Sequence, residues 1–183
     1  MNFTVTPGDL LRSYGLNGVV YFPRTADEMD ARTSLFLSSV GLPDSEVFHT
    51  RADVEEFEEG DGDAITLGSR FDEDGMTCPP ESRSWLKLGY FFTSLLALDP
   101  ASGKVFSFPE GSAEYLLIHR DIESLVYSFI EFRKIEVGHE NEEDPEELST
   151  RFRETVGQFD ATPFTEEESP WNLALEELEN EIW

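Results

Sequence analysis

The chain has 183 residues, of which 39% are hydrophobic and 13% aromatic, a composition typical of a single globular domain with a substantial core. Its 39 acidic residues against 13 basic ones give a formal net charge of −26, which argues against binding to nucleic acid or to an anionic membrane and favours a basic protein partner. The single cysteine, Cys78, excludes an intramolecular disulfide and fits a reducing compartment.

The N-terminal part of the chain predicts one helix. Its first residues carry no basic segment followed by an apolar one, so we expect no signal peptide. No apolar run reaches the length of a membrane helix, and we therefore expect a cytoplasmic protein. Residues 25–43 have apolar side chains at helical spacing, with Thr25 and Glu28 as a capping box and with Gly41 and Pro43 as end signals.

The middle of the chain predicts an antiparallel sheet. An acidic loop at 53–63 leads into a short predicted strand at 64–69, and the glycine and prolines of 70–84 predict a second loop. Four further strands, with short connections typical of a meander, are predicted at 85–91, 94–99, 104–109 and 113–119.

The connection between the second and third of these four strands has a specific turn signature. Asp99 can accept hydrogen bonds from the turn backbone, and Pro100 presets the φ angle of position i+1 of a type I turn. Gly103 supplies a residue that adopts the left-handed conformation of a bulge. The pattern therefore predicts a β-hairpin across residues 94–108.

Beyond the strands, the apolar residues change from a period of two to a helical period. Helices are predicted at 121–135, 144–159 and 169–183. Asp121, Asp144 and Ser169 are the expected N-caps, and the last two are each followed by a proline at the first helical position. A polar linker at 136–144 follows the first of these helices, and we expect Trp171 in the last helix to lie in the core.

This order of a helix, a run of strands and further helices predicts an α+β fold, in which a mainly antiparallel β-meander flanked by helices forms a single domain. We divide that domain into an α+β part at 1–137 and an acidic helical C-terminal extension at 138–183, which we expect to pack on the same domain. No internal repeat of fixed period occurs in the sequence.

Acidic residues are concentrated in two places. Residues 53–74 contain ten Asp or Glu against Arg70, and residues 138–183 contain fifteen against Arg151 and Arg153. The simpler interpretation is a solvated surface that keeps the protein soluble. The functional interpretation is a negative surface that steers and docks a basic partner, with nearby aromatic residues as anchors. Under that interpretation the candidate partner-binding residues are Glu58, Glu59, Asp61, Asp63, Phe71, Asp72, Glu73 and Asp74.

The sequence nominates no catalytic, cofactor or metal site. His49, His119 and His139 are far apart and form no H-E-x-x-H motif, and His119 continues an apolar strand, where a core histidine is expected. No basic residue adjoins Cys78 to lower the pKa of its thiol. The two acidic loops lack the ligand spacing of an EF-hand, and no phosphate-binding glycine motif occurs. We therefore expect a protein that is not an enzyme.

Four short hydrophobic motifs occur in order along the chain: LFLSSVGLP, WLKLG, LLALDPASGKVFSF and DIESLVYSFIEF. Their order, over residues 25–135, resembles the SUKH superfamily of Smi/Knr-like proteins, and in particular its fourth subgroup. The resemblance implies an α+β fold without catalysis. It also implies a bacterial immunity protein of a polymorphic toxin system, which binds and neutralises a cognate toxin that is often a nuclease or a nucleic-acid deaminase.

Three functions remain open at this point. The first is an immunity protein, present as a monomer or weak homodimer, whose acidic surface binds the basic groove of a toxin and which itself binds neither nucleic acid nor membrane. The second is a regulatory or scaffolding module of the SUKH type that has no toxin partner. The third is a small hydrolase or metal-dependent enzyme, which requires a deep pocket at His119 or Cys78.

Overall fold

The computed structural model describes residues 2–22, 29–50, 66–110, 112 and 114–182. Within these residues the chain forms six α-helices and two antiparallel sheets. The helices are α1 (Pro7–Tyr14), α2 (Ala31–Ser39), α3 (Leu67–Glu73), α4 (Ile122–Glu140), α5 (Pro145–Phe159) and α6 (Pro170–Glu179). The strands are β1 (Val19–Val20), β2 (Leu42–Pro43), β3 (Phe48–Thr50), β4 (Leu86–Phe91), β5 (Ser94–Leu98), β6 (Val105–Phe108) and β7 (Leu116–His119).

The larger sheet has five strands in the order β3-β4-β5-β6-β7, so every strand pairs with its neighbour in the chain. All these pairs are antiparallel, and β1 pairs with β2 in a separate two-stranded sheet. The fold is therefore a single-domain α+β fold built around an antiparallel meander, and the predicted fold class is confirmed.

The β5–β6 hairpin is confirmed with its predicted turn chemistry. Asp99 accepts a hydrogen bond from the Ala101 N–H at 3.0 Å, and the Gly103 N–H donates to the Asp99 carbonyl at 2.8 Å. Gly103 has a φ of 73°, and a Cβ there would lie 2.9 Å from the Thr33 hydroxyl oxygen. Glycine is required twice over, because the backbone is left-handed and because the turn packs against α2.

The main core lies between α4 and one face of the five-stranded sheet. Phe129 of α4 stacks on Phe48 of β3 with ring centroids 4.5 Å apart, and Phe91 of β4 lies 4.4 Å from the Trp171 ring of α6. Trp171 is fully buried, as predicted. Because α5 packs on α4 and α6 packs on α5, both C-terminal helices contribute side chains to this core.

The N-terminal helices differ from the prediction. Helix α1 was not predicted, although Thr6 and Asp9 form a capping box around its first turn. The helix predicted from residue 25 begins at Ala31, where Asp30 is the N-cap. Its predicted capping box, Thr25 with Glu28, lies outside the described residues.

The predicted strand at 64–69 is wrong for its described residues after Thr66, and the predicted loop at 70–84 is wrong at 70–73, because these residues lie in α3. The rest of that loop, 74–84, consists of turns, irregular chain and the short 3₁₀ helix Pro80–Ser82. Thr66 forms an isolated bridge to Leu86, but the chain from Leu67 is helical as α3. The physical reason is that Leu67 and Phe71, four residues apart, are both buried on one helix face. The Thr66 hydroxyl caps this helix by accepting from the Ser69 N–H.

The polar linker predicted at 136–144 is also wrong in its first half, because α4 continues to Glu140. Gly138 does not interrupt the helix. A Cβ there would lie 2.5 Å from Leu148 Cδ2, so the glycine allows α5 to approach α4 closely.

The predicted N-caps of the C-terminal helices are confirmed at two of three positions. Asp121 and Asp144 accept hydrogen bonds from the N–H groups of Ser124 and Glu147, at 2.8 and 3.0 Å. Ser169 occupies the N-cap position of α6 but makes no capping hydrogen bond, and its buried hydroxyl has no hydrogen-bond partner among the described residues.

Candidate functional site

A second, smaller hydrophobic cluster covers the sheet face opposite α4. Side chains alternate along β5, so that Leu96 and Leu98 face the main core while Leu95 and Ala97 face the second cluster. Helix α3 packs on this second face through Phe71, whose ring lies 5.7 Å from that of Phe108 on β6. Since α3 carries the acidic residues singled out in the sequence, this face is the candidate functional site.

Both ends of the acidic segment 51–65 are attached to strand β4. Before the segment, Thr50 pairs with Gly89; after it, Thr66 bridges to Leu86. The residues on either side of the segment thus pair with β4 at positions only three residues apart, and α3 begins immediately after the second contact. Four of the candidate partner-binding residues belong to this segment and lie outside the described residues: Glu58, Glu59, Asp61 and Asp63.

The other four candidates lie on α3 or at its C-cap. Phe71 is only 4% exposed and forms part of the second cluster, whereas Asp72, Glu73 and Asp74 are exposed. The structure thus brings the three acids together at one end of a short helix, directly above the sheet face.

Each of these three acids has a basic neighbour. Arg83 pairs with Asp72 at 2.5 Å, and its hydrogen bond lowers the pKa of that carboxyl. Arg70 lies 3.2 Å from Asp74 and 3.7 Å from Glu73. These contacts hold the carboxylates in place at the surface, where exposed ion pairs add little to stability.

A groove of about 500 Å³ opens beside the acidic end of α3. Met76, Tyr90 and Leu95 supply apolar lining, while Asp74 on the α3 side and Glu110 beyond β6 place carboxylates along it. Glu110 is exposed and forms no ion pair within the part of the chain that is described. An apolar groove with acidic walls suits a ligand that is both hydrophobic and positively charged.

Sequence reasoning missed this groove. Strict alternation from Leu86 and Leu88 would put Tyr90 on the main-core side. The bulge between Lys87 and Gly89 turns Tyr90 to the second cluster instead, so its place in the groove had no signal in the sequence. Glu110 gave none, because it follows a strand in an irregular turn and reaches α3 only through the folded sheet.

His119 is the centre of a buried polar cluster. The Trp171 Nε1–H donates to His119 Nε2 at 2.9 Å, and His119 Nδ1 lies 3.2 Å from the Ser124 hydroxyl and 3.5 Å from an Asp160 oxygen. Because Nε2 accepts a hydrogen bond, the ring proton of the neutral imidazole is on Nδ1.

Burial controls the protonation of this cluster. It lowers the pKa of His119, against the opposing hydrogen bond and charge of Asp160. Burial alone would raise the pKa of Asp160, but hydrogen bonds from His119, Thr162 and the Arg120 N–H outweigh it and hold the pKa well below its usual range. The stable arrangement is a neutral imidazole beside a carboxylate.

The combination of serine, histidine and aspartate superficially suits hydrolysis, but this geometry does not. In a hydrolytic triad Nε2 faces the nucleophile, whereas here Trp171 occupies Nε2. The His119 side chain is fully buried, so no substrate reaches it. His119 is a core histidine, as predicted, and its cluster is structural.

The remaining chemistry-bearing side chains form no second site in the described part of the chain. Cys78 is buried, with its sulfur 3.6 Å from the Ser82 hydroxyl. Among the described residues, no group of three or more His, Cys, Asp and Glu side chains is placed to hold a metal ion. None of the described helices is long and apolar enough to span a membrane.

Comparison with known proteins places the chain in a family. The family model described as SUKH-4 immunity protein matches residues 5–177. The chain belongs to the SUKH-4 immunity protein family. The resemblance predicted from hydrophobic motifs at 25–135 is thereby confirmed, and the match extends beyond it to include α1, α5 and most of α6. No curated protein and no solved structure matched the chain.

Membership of the SUKH-4 family indicates a toxin-neutralising role and a cognate toxin as partner. For a protein with that role, the relevant site is a binding surface. In this SUKH-4 protein the sheet face under α3 combines exposed carboxylates, an apolar groove and the attachment of the acidic segment 51–65.

Proposed function

We propose that this SUKH-4 protein neutralises its cognate toxin without catalysis, by binding it through an acidic face made of segment 51–65 and α3. The observation that carries the proposal is the attachment of both ends of the acidic segment to β4, next to the exposed carboxylates of α3. Thr50 and Thr66 flank a sequence cluster that holds ten acids within 53–74, and the last three of these acids lie on α3 or at its C-cap.

The proposed partner is a toxin that acts on nucleic acid. The active-site groove of such a toxin is basic because it must hold a phosphate backbone. A protein with a net charge of −26 is attracted to that groove at long range, and an acidic face bound there would exclude the nucleic acid. The proposed place of action is the cytoplasm of the cell that makes the toxin, and the proposed free form is a monomer or weak homodimer.

The test uses the protein encoded immediately upstream of the gene for this chain, which is where the toxin gene of an immunity protein is expected. Wild-type protein should co-purify with that toxin and suppress its activity, and its affinity should fall steeply as salt rises. Reversing the charge of acids on the acidic face to lysine should weaken binding about tenfold or more. The reversed positions are Asp61, Asp63, Asp72 and Asp74.

A matched control reverses four exposed acids in the C-terminal region, which changes the net charge by the same amount. These are Glu146, Glu167, Glu176 and Glu177. The control should keep most of the toxin affinity. Equal loss in both variants would mean that only net charge matters, and an affinity indifferent to salt would refute electrostatic docking.

A further inference from the structure

The groove beside α3 combines an apolar lining with the carboxylates of Asp74 and Glu110. We propose that it receives one long cationic side chain, a lysine or arginine, from the toxin. This inference rests on the proposed function and adds to it the position at which the partner is anchored and the chemistry of the anchor.

The lining of the groove fits the aliphatic part of such a side chain. Leu95 is 7% exposed and Met76 and Tyr90 are half-buried, so together they present apolar surface. The rest of the lining includes polar side chains, among them Arg70, Thr93 and Ser112. Lysine and arginine lay their methylene stems along surfaces of this kind while the charged end stays near water. The volume of about 500 Å³ is within the roughly 300–1,000 Å³ typical of small-ligand sites.

Tyr90 adds an aromatic ring to the wall of the groove. The Lys87 ammonium of the same strand lies 5.0 Å from the centroid of this ring, so the ring already takes part in one cation–π contact. A cation entering the groove therefore meets an apolar, electron-rich side chain as well as a carboxylate.

The two acidic walls are not equivalent, and the difference identifies the carboxylate that binds the cation. On the α3 side, Arg70 already balances Asp74 at 3.2 Å. On the opposite side, Glu110 is exposed and forms no ion pair with any described residue. A positive group in the groove is therefore drawn to Glu110, and the apolar lining of Met76, Tyr90 and Leu95 offers surface for its stem.

The groove can be tested without the toxin. The probes are N-acetyl-argininamide and N-acetyl-citrullinamide, which have nearly the same shape but differ in charge. The readout is the methyl NMR shifts of Met76 and Leu95. Argininamide should shift these signals saturably and citrullinamide should not. Equal shifts with both probes, or argininamide shifts spread evenly over the acidic surface, would overturn the groove assignment.

The matched variants are Glu110→Gln and Glu114→Gln, because both glutamates are exposed, lie four residues apart, and only Glu110 lines the groove. Glu110→Gln should abolish the specific argininamide shifts and weaken toxin binding about tenfold. Glu114→Gln should leave both within about twofold. If the two variants behave alike with toxin, the anchor is elsewhere and the inference is wrong.

Toxin binding and the role of Glu110 are distinguishable in these experiments. If wild-type protein neither binds nor inhibits the toxin, the proposed function is wrong, whatever argininamide does. If the toxin is bound and inhibited but Glu110→Gln has no effect on that binding, the proposed function stands and the inference about the groove is overturned.

Discussion

The indole N–H of Trp171 donates a hydrogen bond of 2.9 Å to Nε2 of His119, and this bond joins α6 to β7 inside the core. Asp160, at the C-cap of α5, lies on the other side of the same imidazole and also accepts the Arg120 N–H at 3.1 Å. One buried ring therefore connects the end of the meander to both C-terminal helices.

Trp171→Phe should lower the free energy of unfolding by more than the loss of buried apolar area predicts, because it also removes a hydrogen-bond donor. Trp171→Phe leaves His119 Nε2 buried without its donor, and an unsatisfied buried polar atom costs about 1–3 kcal/mol in the free energy of unfolding, in addition to the smaller ring volume. Urea unfolding measures the loss. Nitrogen NMR of His119 in the wild type should show a protonated Nδ1 and an unprotonated Nε2; the opposite tautomer would contradict the assignment.

Stability should fall as the pH falls below the ordinary range of histidine. His119 stays neutral in the folded state because burial lowers its pKa, whereas the unfolded chain takes up the proton near about pH 6.5. The unfolded state therefore binds more protons, and folding loses free energy as the pH drops through that value. Asp160, whose pKa is also lowered, adds a second loss below about pH 4.

The free energy of unfolding is measured against pH for wild type and for His119→Gln. Protonation of the many exposed carboxylates changes stability in both proteins alike, so the difference between the two curves isolates the effect of His119. The stability advantage of the wild type should shrink below about pH 6.5. The His119 ring signals of the folded protein should also show no titration near about pH 6.5, the ordinary value for histidine. Titration of His119 near its ordinary pKa would disprove the effect.

Two helical glycines should respond to alanine with opposite signs. At Gly138 the new Cβ would lie 2.5 Å from Leu148 Cδ2, so Gly138→Ala must displace the fully buried Leu148 side chain and should destabilise by about 1–3 kcal/mol. At Gly157 of α5 nothing lies within 4 Å of the Cβ position. Gly157→Ala should therefore stabilise by up to about 1 kcal/mol through helix propensity. Thermal unfolding of the pair is the check, and equal signs would contradict the packing argument.

The N-terminal residues are held by Glu123, whose side chain is 5% exposed. Its carboxylate accepts the N–H groups of Thr4 and Val5, at 2.5 and 3.1 Å, and pairs with Arg32. Glu123→Gln should weaken these bonds, at about 1–3 kcal/mol, because the charge is lost while the shape remains. Amide exchange should accelerate in α1 more than in α6. Uniform acceleration would indicate global destabilisation instead.

Segment 51–65 should be dispensable for folding. Its two attachment points on β4 are three residues apart, a span of about 10 Å, which a linker of about four residues can cover. A variant with a short Gly-Ser linker in place of 51–65 should unfold with unchanged cooperativity but lose toxin binding. If the shortened chain is unfolded, the sheet depends on the segment. If it still binds the toxin fully, the segment is not part of the interface.

Features set by neighbouring residues could be predicted from the sequence. The β5–β6 hairpin and the start of α5 depend on contacts within a few positions of Asp99 and Asp144, and both were predicted. Helix α3 was missed because its apolar face consists of little more than Leu67 and Phe71, too few to show a period.

Features formed by distant residues could not be predicted in the same way. His119 and Trp171 are 52 positions apart, and only the folded core brings them into contact. The groove has the same origin, because its walls come from α3, the β4–β5 hairpin and the turn after β6. The acidity of segment 51–65 was visible in the sequence, but its attachment to β4 was not.

A segment that starts and ends on one strand can change in evolution without changing the domain. Doubling the length of such a loop adds only about 0.6 kcal/mol of closure entropy. None of the four strand pairings of the larger sheet involves a residue between Thr50 and Thr66. If the segment binds the toxin as proposed, new residues between Thr50 and Thr66 alter which toxin is bound while the same sheet and core persist. The residues that determine the fold would then be different from those that determine which toxin is bound.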